Sequence, residues 1–222
     1  MRIGYASRSI LMPRFVAIAL SAALACAVLA AGGCSGKSGA KMPTYKQNPK
    51  PAQVFELTVT IENAPGPFAS INGVMQYDIT NMDCLPPAEF FSGVQTTPIS
   101  TFLPIALTKV ADNTYRGRVA LDGLLDGDYF GHGECHFKPI GSSISFKATG
   151  ADGETRFFAQ MSAEEIAVNG VLAKYYWKGG YPRDRKVNNY PDHGSDSAQE
   201  FLESLRQELF SVTTKARTAQ QL

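Results

Sequence analysis

Apolar and polar residues alternate along several segments of this 222-residue chain, and that pattern limits the possible folds more than any other feature. In the stretch 55–62, each apolar residue is followed by glutamate or threonine. A period of two is that of a β-strand, because successive side chains of a strand point to opposite faces. The same spacing recurs at residues 71–79, 103–107 and 115–121. The sequence therefore predicts a mainly β protein.

Short turn sequences separate these stretches. Residues that favour turns, mainly proline, glycine, asparagine and aspartate, occupy positions 63–67, 85–87, 111–113 and 122–123. Further strands are expected at residues 143–148, 155–160 and 171–177. Many short strands at close spacing are typical of two packed antiparallel sheets. The sequence therefore predicts an antiparallel β-sandwich.

A tyrosine near the entry of one strand resembles a feature of immunoglobulin domains. Tyr129 follows Gly127 and lies six residues before Cys135. In immunoglobulin-like sandwiches the corner tyrosine lies two residues before its cysteine, so the match is partial. The sequence favours an immunoglobulin-like architecture and leaves the strand topology open.

The C-terminal part of the chain has a different spacing. Beyond Tyr190, apolar residues recur at intervals typical of a helix, at Phe201, Leu202, Leu205, Leu209 and Val212. This spacing predicts an amphipathic C-terminal helix at about 195–213, packed on the sandwich. A single helical turn is also expected after Ser162, because Glu165 completes the spacing of a capping box.

The first 33 residues have the pattern of a bacterial export signal. Three arginines and an apolar stretch from Phe15 to Ala31 lead to small residues before Cys34. The sequence 31–34 resembles a lipobox, with alanine where leucine is usual, so we expect cleavage before Cys34 and acylation of its thiol. The alternative is an ordinary signal peptide that leaves Cys34 as a free thiol. Serine at position 35, rather than aspartate, favours the outer membrane, with the protein facing the periplasm.

Residues 34–53 are expected to form a lipidated cysteine and a flexible tether. Four lysines lie there among glycine, serine and proline, and few apolar residues are present. A solvated linker is the simpler interpretation of these lysines, and contact with anionic headgroups is the alternative. Two or three acyl chains would hold the mature protein on the membrane. Residues 54–222 are long enough for one domain with a substantial core.

The four cysteines have different expected fates. Cys26 leaves with the signal and Cys34 carries lipid, so Cys84 and Cys135 remain. Two cysteines in an exported domain predict one disulfide. The sequence has no C-x-x-C motif, which argues against a redox-active pair.

The expected domain is acidic. Residues 51–222 contain 14 lysines and arginines against 20 aspartates and glutamates, a net charge of −6. Nucleic acid is therefore a poor partner for this domain, because its binding requires a basic surface.

Catalytic motifs are missing from the sequence. It contains no nucleophile elbow, zinc-protease motif, phosphate-binding loop or dinucleotide fingerprint, so we expect neither enzyme activity nor a cofactor. On a continuous strand, His132, Glu134 and His136 would share one face, with the histidines about 13 Å apart and too distant for one metal ion. We therefore expect no metal site. The neighbouring acidic residues at 122–128 fit turns better than a calcium loop.

One segment concentrates the residue types that anchor protein interfaces. It contains the only tryptophan, three tyrosines and four cations between positions 175 and 186. The predicted partner-binding residues are Tyr175, Tyr176, Trp177, Lys178, Tyr181, Arg183 and Arg185, with Asp126 and Asp128 as weaker steering contacts. Two alternatives remain open: the aromatic side chains pack inward at a strand end, or Trp177 and Tyr181 touch the membrane headgroups.

Five segments of the domain resemble a family of bacterial lipoproteins: Phe55–Phe68, Met75–Asp78, Cys84–Pro87, Tyr115–Gly117 and Asp128–His136. Members of this family are encoded beside type VI secretion effectors of the phospholipase class. The resemblance covers about residues 54–180 and does not include the C-terminal segment. It implies an immunity protein, a periplasm-facing lipoprotein that binds the cognate phospholipase and neutralises it.

A structural or assembly lipoprotein of the cell envelope is the alternative function. Both functions require a tethered binding protein without catalysis. They differ in the partner, which is one toxin for an immunity protein and an envelope machine for an assembly factor.

Overall fold

The structure, a computed structural model, describes residues 43–88 and 93–219. These described residues lie in one compact unit. The export signal and the predicted lipidation site Cys34 fall outside the described residues. Within them, the regular elements are β1 (Val54–Glu62), β2 (Ser70–Ile79), β3 (Ser100–Ile105), β4 (Thr108–Ala111), β5 (Thr114–Ala120), β6 (Phe137–Lys147), β7 (Arg156–Ser162), α1 (Ala163–Ala167), β8 (Val171–Trp177), β9 (Pro191–Asp192) and β10 (Leu209–Thr218).

The strands form two five-stranded sheets. The first sheet has the order β4-β5-β1-β10-β8, and the second has the order β3-β2-β6-β7-β9. The pairings are antiparallel except that of the short β9, which runs parallel to β7. Apolar side chains of both sheets meet in one core. The prediction of a mainly β fold with two sheets is confirmed, and the sheets are antiparallel apart from the β7–β9 pair.

Burial alternates along the strands as the sequence predicts. Every second residue of β1, from Phe55 to Ile61, is buried, and the residues between them are half-buried. β2 repeats this pattern from Gly73 to Ile79. Each large apolar side chain removed from water in this way stabilises the fold by about 2 kcal/mol. The inward faces of the two sheets thus supply most of the driving force for folding.

The prediction of a C-terminal helix at about 195–213 is wrong. Residues 209–218 form β10, and only short 3₁₀ turns precede it. β10 lies between β1 and β8, so its backbone is paired on both sides. Its β-branched run Val212–Thr214 favours a strand, and alternate residues from Phe210 onward are buried. Leu202, which would have been an apolar residue of the helix, is 72% exposed.

Residues 43–53, the described part of the predicted tether, lie against the sandwich. The ring of Tyr45 packs edge-on against Tyr129 and Phe137, with centroid distances of 5.0 and 5.1 Å. Backbone hydrogen bonds join this segment to the start of the loop between β5 and β6, where the Asp122 carboxylate accepts from the amides of residues 52 and 53. The structure therefore differs here from a flexible tether, because contacts with a distant loop fix a segment of polar composition.

The loop between β5 and β6, residues 121–136, carries the predicted disulfide. Cys84 and Cys135 are bonded to each other, and both are buried. Tyr129 Oη donates a 2.6 Å hydrogen bond to the carbonyl oxygen of Leu125, four residues upstream. A corner tyrosine makes this type of contact. The predicted Cys84–Cys135 pairing is confirmed.

Helix α1 begins with the predicted capping box. Ser162 Oγ accepts from the Glu165 amide at 3.2 Å, and the Glu165 carboxylate accepts from the Ser162 amide at 2.8 Å. This single turn covers the core with the fully buried side chain of Ile166. Local sequence was enough to predict the element because both partners of the cap lie within four residues.

A buried glutamate fixes the loop between β6 and β7. Glu154 is 6% exposed, and its carboxylate accepts hydrogen bonds from the amides of Thr149 and Gly150 and from the Thr149 hydroxyl. Burial alone would raise the pKa of Glu154, but these hydrogen bonds and nearby Lys147 hold the pKa below its ordinary value. The negative charge of Glu154 therefore stabilises the folded state.

Replacing Glu154 with glutamine should lower the free energy of unfolding by about 2 kcal/mol at neutral pH, because the new amide group would face N–H donors. The folded-state pKa is depressed, so the carboxylate contribution is present above the unfolded pKa and is lost as pH falls through the folded pKa. The variant and the natural protein should therefore converge in acid. Urea unfolding at neutral and acid pH measures both effects. The exposed Glu164→Gln is the control, and a Glu154→Gln difference that stays constant with pH would contradict this explanation.

Candidate partner-binding site

The aromatic-basic segment, residues 175–186, begins in an edge strand. β8 is the outermost strand of the first sheet. At its end, Tyr175 is half-buried, Tyr176 is buried and Trp177 is exposed. Tyr176 has no exposed surface, and its ring stacks on Phe210 at a centroid distance of 5.0 Å. The prediction that Tyr176 contacts a partner is therefore wrong, because Tyr176 is a core residue.

Tyr181 contributes to the fold as well. Its ring packs edge-on against the buried Phe68 at 5.4 Å, and its hydroxyl donates a 2.6 Å hydrogen bond to the backbone of the loop between β1 and β2. The buried Thr155 holds the chain on both sides of Tyr181. Its hydroxyl donates to the Gly180 carbonyl and accepts from the Asp184 amide. Tyr181 is thus a fixed point of the loop rather than a free surface side chain.

The exposed part of the segment is smaller than the sequence predicts. Arg183 donates a 2.8 Å hydrogen bond to the carbonyl of Asp152. Lys178 is half-buried, and Arg185 is exposed. Trp177 is 40% exposed. Of the predicted contacts, Trp177, Arg183 and Arg185 are exposed and Tyr175 and Lys178 are half-buried, so these side chains remain accessible to a partner.

The two acidic residues predicted as steering contacts hold a loop. Asp126 accepts from the Phe137 amide and pairs with His136, with 2.8 Å between Nδ1 and Oδ2. The hydrogen bond to Asp126 is the main reason that the pKa of His136 is raised. Asp128 accepts from the Gly131 amide. Both carboxylates remain exposed, but their contacts are those of turn residues.

The two parts of the predicted site lie at opposite ends of the first sheet. β1 runs from Val54 to Glu62, about 26 Å at the rise of an extended strand. The loop 121–136 follows β5, which ends beside Val54. Trp177 pairs with the start of β10, which lies beside Glu62. The structure therefore does not bring the aromatic-basic segment and the acidic loop together.

The histidine-containing loop is irregular. His132, Glu134 and His136 do not share one face of a strand, because Gly131 and Gly133 interrupt the extended chain with φ angles of 78° and 111°. Across residues 43–88 and 93–219, no group of three or more histidine, cysteine, aspartate or glutamate side chains is placed to hold a metal ion. The strand assumed for this segment in the sequence analysis is therefore absent.

A groove on the outer face of the second sheet was not among the sites predicted from the sequence. Its floor lies on the central strand β6, at the small residues Gly141 and Ser143. Val74, Phe102 and Ile140 line it, and it encloses about 240 Å³. Phe102 is 54% exposed and Ile140 is 37% exposed. Exposed apolar side chains beside a concave floor are typical of surfaces that receive a partner.

Alternate outward residues of β7, Arg156, Phe158 and Gln160, lead to one edge of this groove. The His193 ring stacks on Phe158 with centroids 4.9 Å apart, and the Arg156 guanidinium lies 5.8 Å from the centroid of the same Phe158 ring. Gln160 lines the groove and lies 3.3 Å from His193 Nδ1. An apolar centre with a polar rim is the usual composition of a protein interface.

A signal for the groove was present in the strand pattern. Val74 and Phe102 occupy outward positions of β2 and β3, where a solvated sheet normally has polar residues. A Cβ at Gly141 would collide with the Met161 carbonyl oxygen, so glycine is required where β6 and β7 approach closely. Only the register of four strands shows that these residues form one surface.

Among the described residues, no helix has the length and apolar character needed to cross a bilayer. Comparison of the chain with protein-family models, with curated proteins and with solved structures finds no match.

Proposed function

We propose that the chain is an immunity lipoprotein that binds a type VI secretion phospholipase and neutralises it without catalysis of its own. The resemblance of segments between residues 55 and 136 supports this function. The lipobox pattern at residues 31–34 supports acylation of Cys34 and attachment to the outer membrane, facing the periplasm. A disulfide between Cys84 and Cys135 is consistent with an oxidising compartment. Attachment beside the bilayer would place the sandwich where a phospholipase acts.

The groove of the second sheet is the main structural support for a binding role. Phe102 offers an exposed apolar side chain to bury, and the small residues beneath it leave space for a side chain of the partner. These two features are typical of interface hot spots. Each Å² of apolar surface that the partner covers contributes about 25 cal/mol before the cost of association. Gln160 in the groove and His193 beside it supply polar groups that orient the partner.

We further propose that β1–β7 have an immunoglobulin-like arrangement. The orders β4-β5-β1 and β3-β2-β6-β7 correspond to D-E-B and C′-C-F-G of variable-type immunoglobulin domains. The corner contact of Tyr129 precedes β6, which corresponds to strand F. Two features differ from an immunoglobulin domain. β10 and β8 occupy the side of β1 where strand A would lie, and the disulfide joins a loop after β2 to one before β6.

Replacing Phe102 with alanine should weaken the complex with the phospholipase by at least about 2 kcal/mol, roughly thirtyfold in Kd, because a hot-spot side chain is lost. The fold should keep nearly all of its stability, because Phe102 is 54% exposed on the edge strand β3. Calorimetric titration of the adjacent-gene phospholipase with each purified variant measures Kd.

Val110→Ala is the matched control for this experiment. Val110 is 47% exposed on β4, the edge strand of the other sheet, and its loss should leave Kd unchanged. A complex weakened by Trp177→Ala but not by Phe102→Ala would move the interface to the aromatic-basic segment. No complex and no protection of cells that express the phospholipase would remove the immunity proposal. Protection without a complex would indicate the alternative, an indirect role in the envelope.

A further inference from the structure

The outer face of the first sheet carries a cluster of cations. We call it the basic face, and it consists of Arg116, Arg118, Lys215 and Arg217. Glu56 in the central strand β1 pairs with Arg118 of β5 on one side and with Arg217 of β10 on the other. Thr58, the next outward residue of β1, pairs with the other two cations in the same way. Because directly opposite residues share one face of a sheet, the four cations lie within a patch about 10 Å wide.

The positive charge of this face is mostly uncompensated. Glu56 lies among these cations, and the Arg116 Nε lies 3.8 Å from a Glu56 oxygen. In the part of the chain that the structure describes, Arg118, Lys215 and Arg217 form no ion pair. The surrounding domain has the opposite sign, with a net charge of −6 over residues 51–222. The basic face therefore has a local positive potential that attracts anions, although the domain as a whole is acidic.

Exposed valines lie beside the basic face. Val171 of β8 pairs with Lys215 and is 60% exposed. Val168, in the turn between α1 and β8, is 75% exposed. The Asn169 side chain holds this turn against the end of β10 by accepting from the Thr218 amide. Cations beside small exposed apolar side chains are the combination that binds the interface of an anionic bilayer.

The path of the chain brings the basic face to the lipid anchor. Residues 43–53 lead directly into β1 at Val54. Val54 lies two residues before Glu56, which pairs with Arg118 and Arg217 of the basic face. Cys34 precedes Pro43 by nine residues, so a fully extended chain spans at most about 30 Å between them. If Cys34 is acylated, as the proposed function requires, the basic face stays within reach of the phospholipid headgroups. That proximity raises the effective concentration of the face at the membrane.

We propose that the basic face binds the surface of an anionic phospholipid membrane. The guanidinium and ammonium groups contact headgroup phosphates, and Val168 and Val171 enter the boundary between headgroups and acyl chains. The outer face of the second sheet is on the opposite side of the sandwich and points away from the bilayer. The groove therefore remains open to the phospholipase while the protein lies on the membrane.

Vesicle binding by the mature chain with Cys34→Ser tests this proposal without an acyl anchor and without the phospholipase. The described fold begins at Pro43, nine residues after Cys34, so loss of the acyl chains should leave it intact. Co-sedimentation with phosphatidylcholine vesicles that contain phosphatidylglycerol should show binding that falls with added salt. Pure phosphatidylcholine vesicles should bind little. Arg118→Gln with Arg217→Gln should lower the partition coefficient on the order of twentyfold, about fivefold for each charge.

Lys138→Gln with Arg206→Gln is the matched control, because both cations are exposed and neither lies on the basic face or in a candidate binding site. This control should change vesicle binding less than about twofold. Failure of the natural chain to bind anionic vesicles at low salt would overturn the proposal, as would an equal loss in the control. So would a basic-face variant that binds vesicles normally but loses the phospholipase, since that result assigns the face to the toxin. None of these outcomes depends on the Phe102 experiment, so the two proposals fail separately.

Discussion

Replacing Phe210 with alanine should lower the free energy of unfolding by about 4 kcal/mol, the range found for large aromatic side chains in well-packed cores. Phe210 is 1% exposed in β10, an interior strand of the first sheet. Its ring lies 5.0 Å from Tyr176, 5.2 Å from Phe157 and 5.9 Å from Phe68. These rings come from three further segments of the chain, so the cavity would open where the two sheets meet. Urea unfolding followed by far-UV circular dichroism gives the free energy.

Leu202→Ala is the control for the Phe210 experiment. Leu202 is 72% exposed, and its loss should change stability by less than about 0.5 kcal/mol. An amphipathic helix packed on the sandwich would bury apolar residues from this part of the chain as well. Comparable losses for Leu202→Ala and Phe210→Ala would therefore contradict the strand assignment of the C-terminal segment.

Removing the disulfide should cost about 4 kcal/mol of stability. Cys84 and Cys135 are separated by 51 positions. A cross-link that closes a loop of this length lowers the conformational entropy of the unfolded chain, which corresponds to about 4 kcal/mol of stability. The bond also joins two loops at the end of the sandwich where Tyr129 and Phe137 pack on the same cluster. The double variant Cys84→Ser with Cys135→Ser removes the bond without leaving a free thiol. Urea unfolding of the double variant and of the natural protein measures the difference.

Reduction provides the control for the disulfide prediction. The natural protein in reductant should match the double variant, and the double variant should not respond to reductant. Thiol titration of denatured periplasmic material should find Cys84 and Cys135 unreactive. Two reactive thiols there, or equal stability with and without reductant, would contradict the pairing.

The sequence predicted those parts of the fold whose cause is local. Alternation identified β1 because four large apolar residues occupy its inward positions. In β10 the inward positions after Val212 are Thr214 and Ala216, which are buried but contribute little to an apolar pattern. The same segment contains apolar residues at helical spacing, so its sequence is compatible with both a helix and a strand. The pairing of β10 with β1 and β8 decides the outcome, and that pairing joins residues far apart in sequence.

The candidate surfaces were harder to predict from the sequence, because they too depend on pairing between residues that are far apart in the chain. Arg118 and Arg217 are about one hundred positions apart, and they become neighbours only through β1 between them. Phe102 becomes part of a groove only when its register with β2 and β6 is known. Composition identified the residue types of the aromatic-basic segment but not their burial. Tyr176 is identical in type to Tyr175, and the alternation of β8 buries one and half-exposes the other.

The most direct test of the immunity proposal is whether the purified mature chain with Cys34→Ser inhibits the phospholipase that this proposal expects beside its gene. A short-chain lipid below its micelle concentration should be the substrate, so that binding to a bilayer plays no part. The immunity proposal predicts that hydrolysis falls in proportion to added protein and stops at a stoichiometric amount. Phe102→Ala should shift the titration to much higher concentration. Unchanged hydrolysis in the presence of excess folded protein would contradict the account.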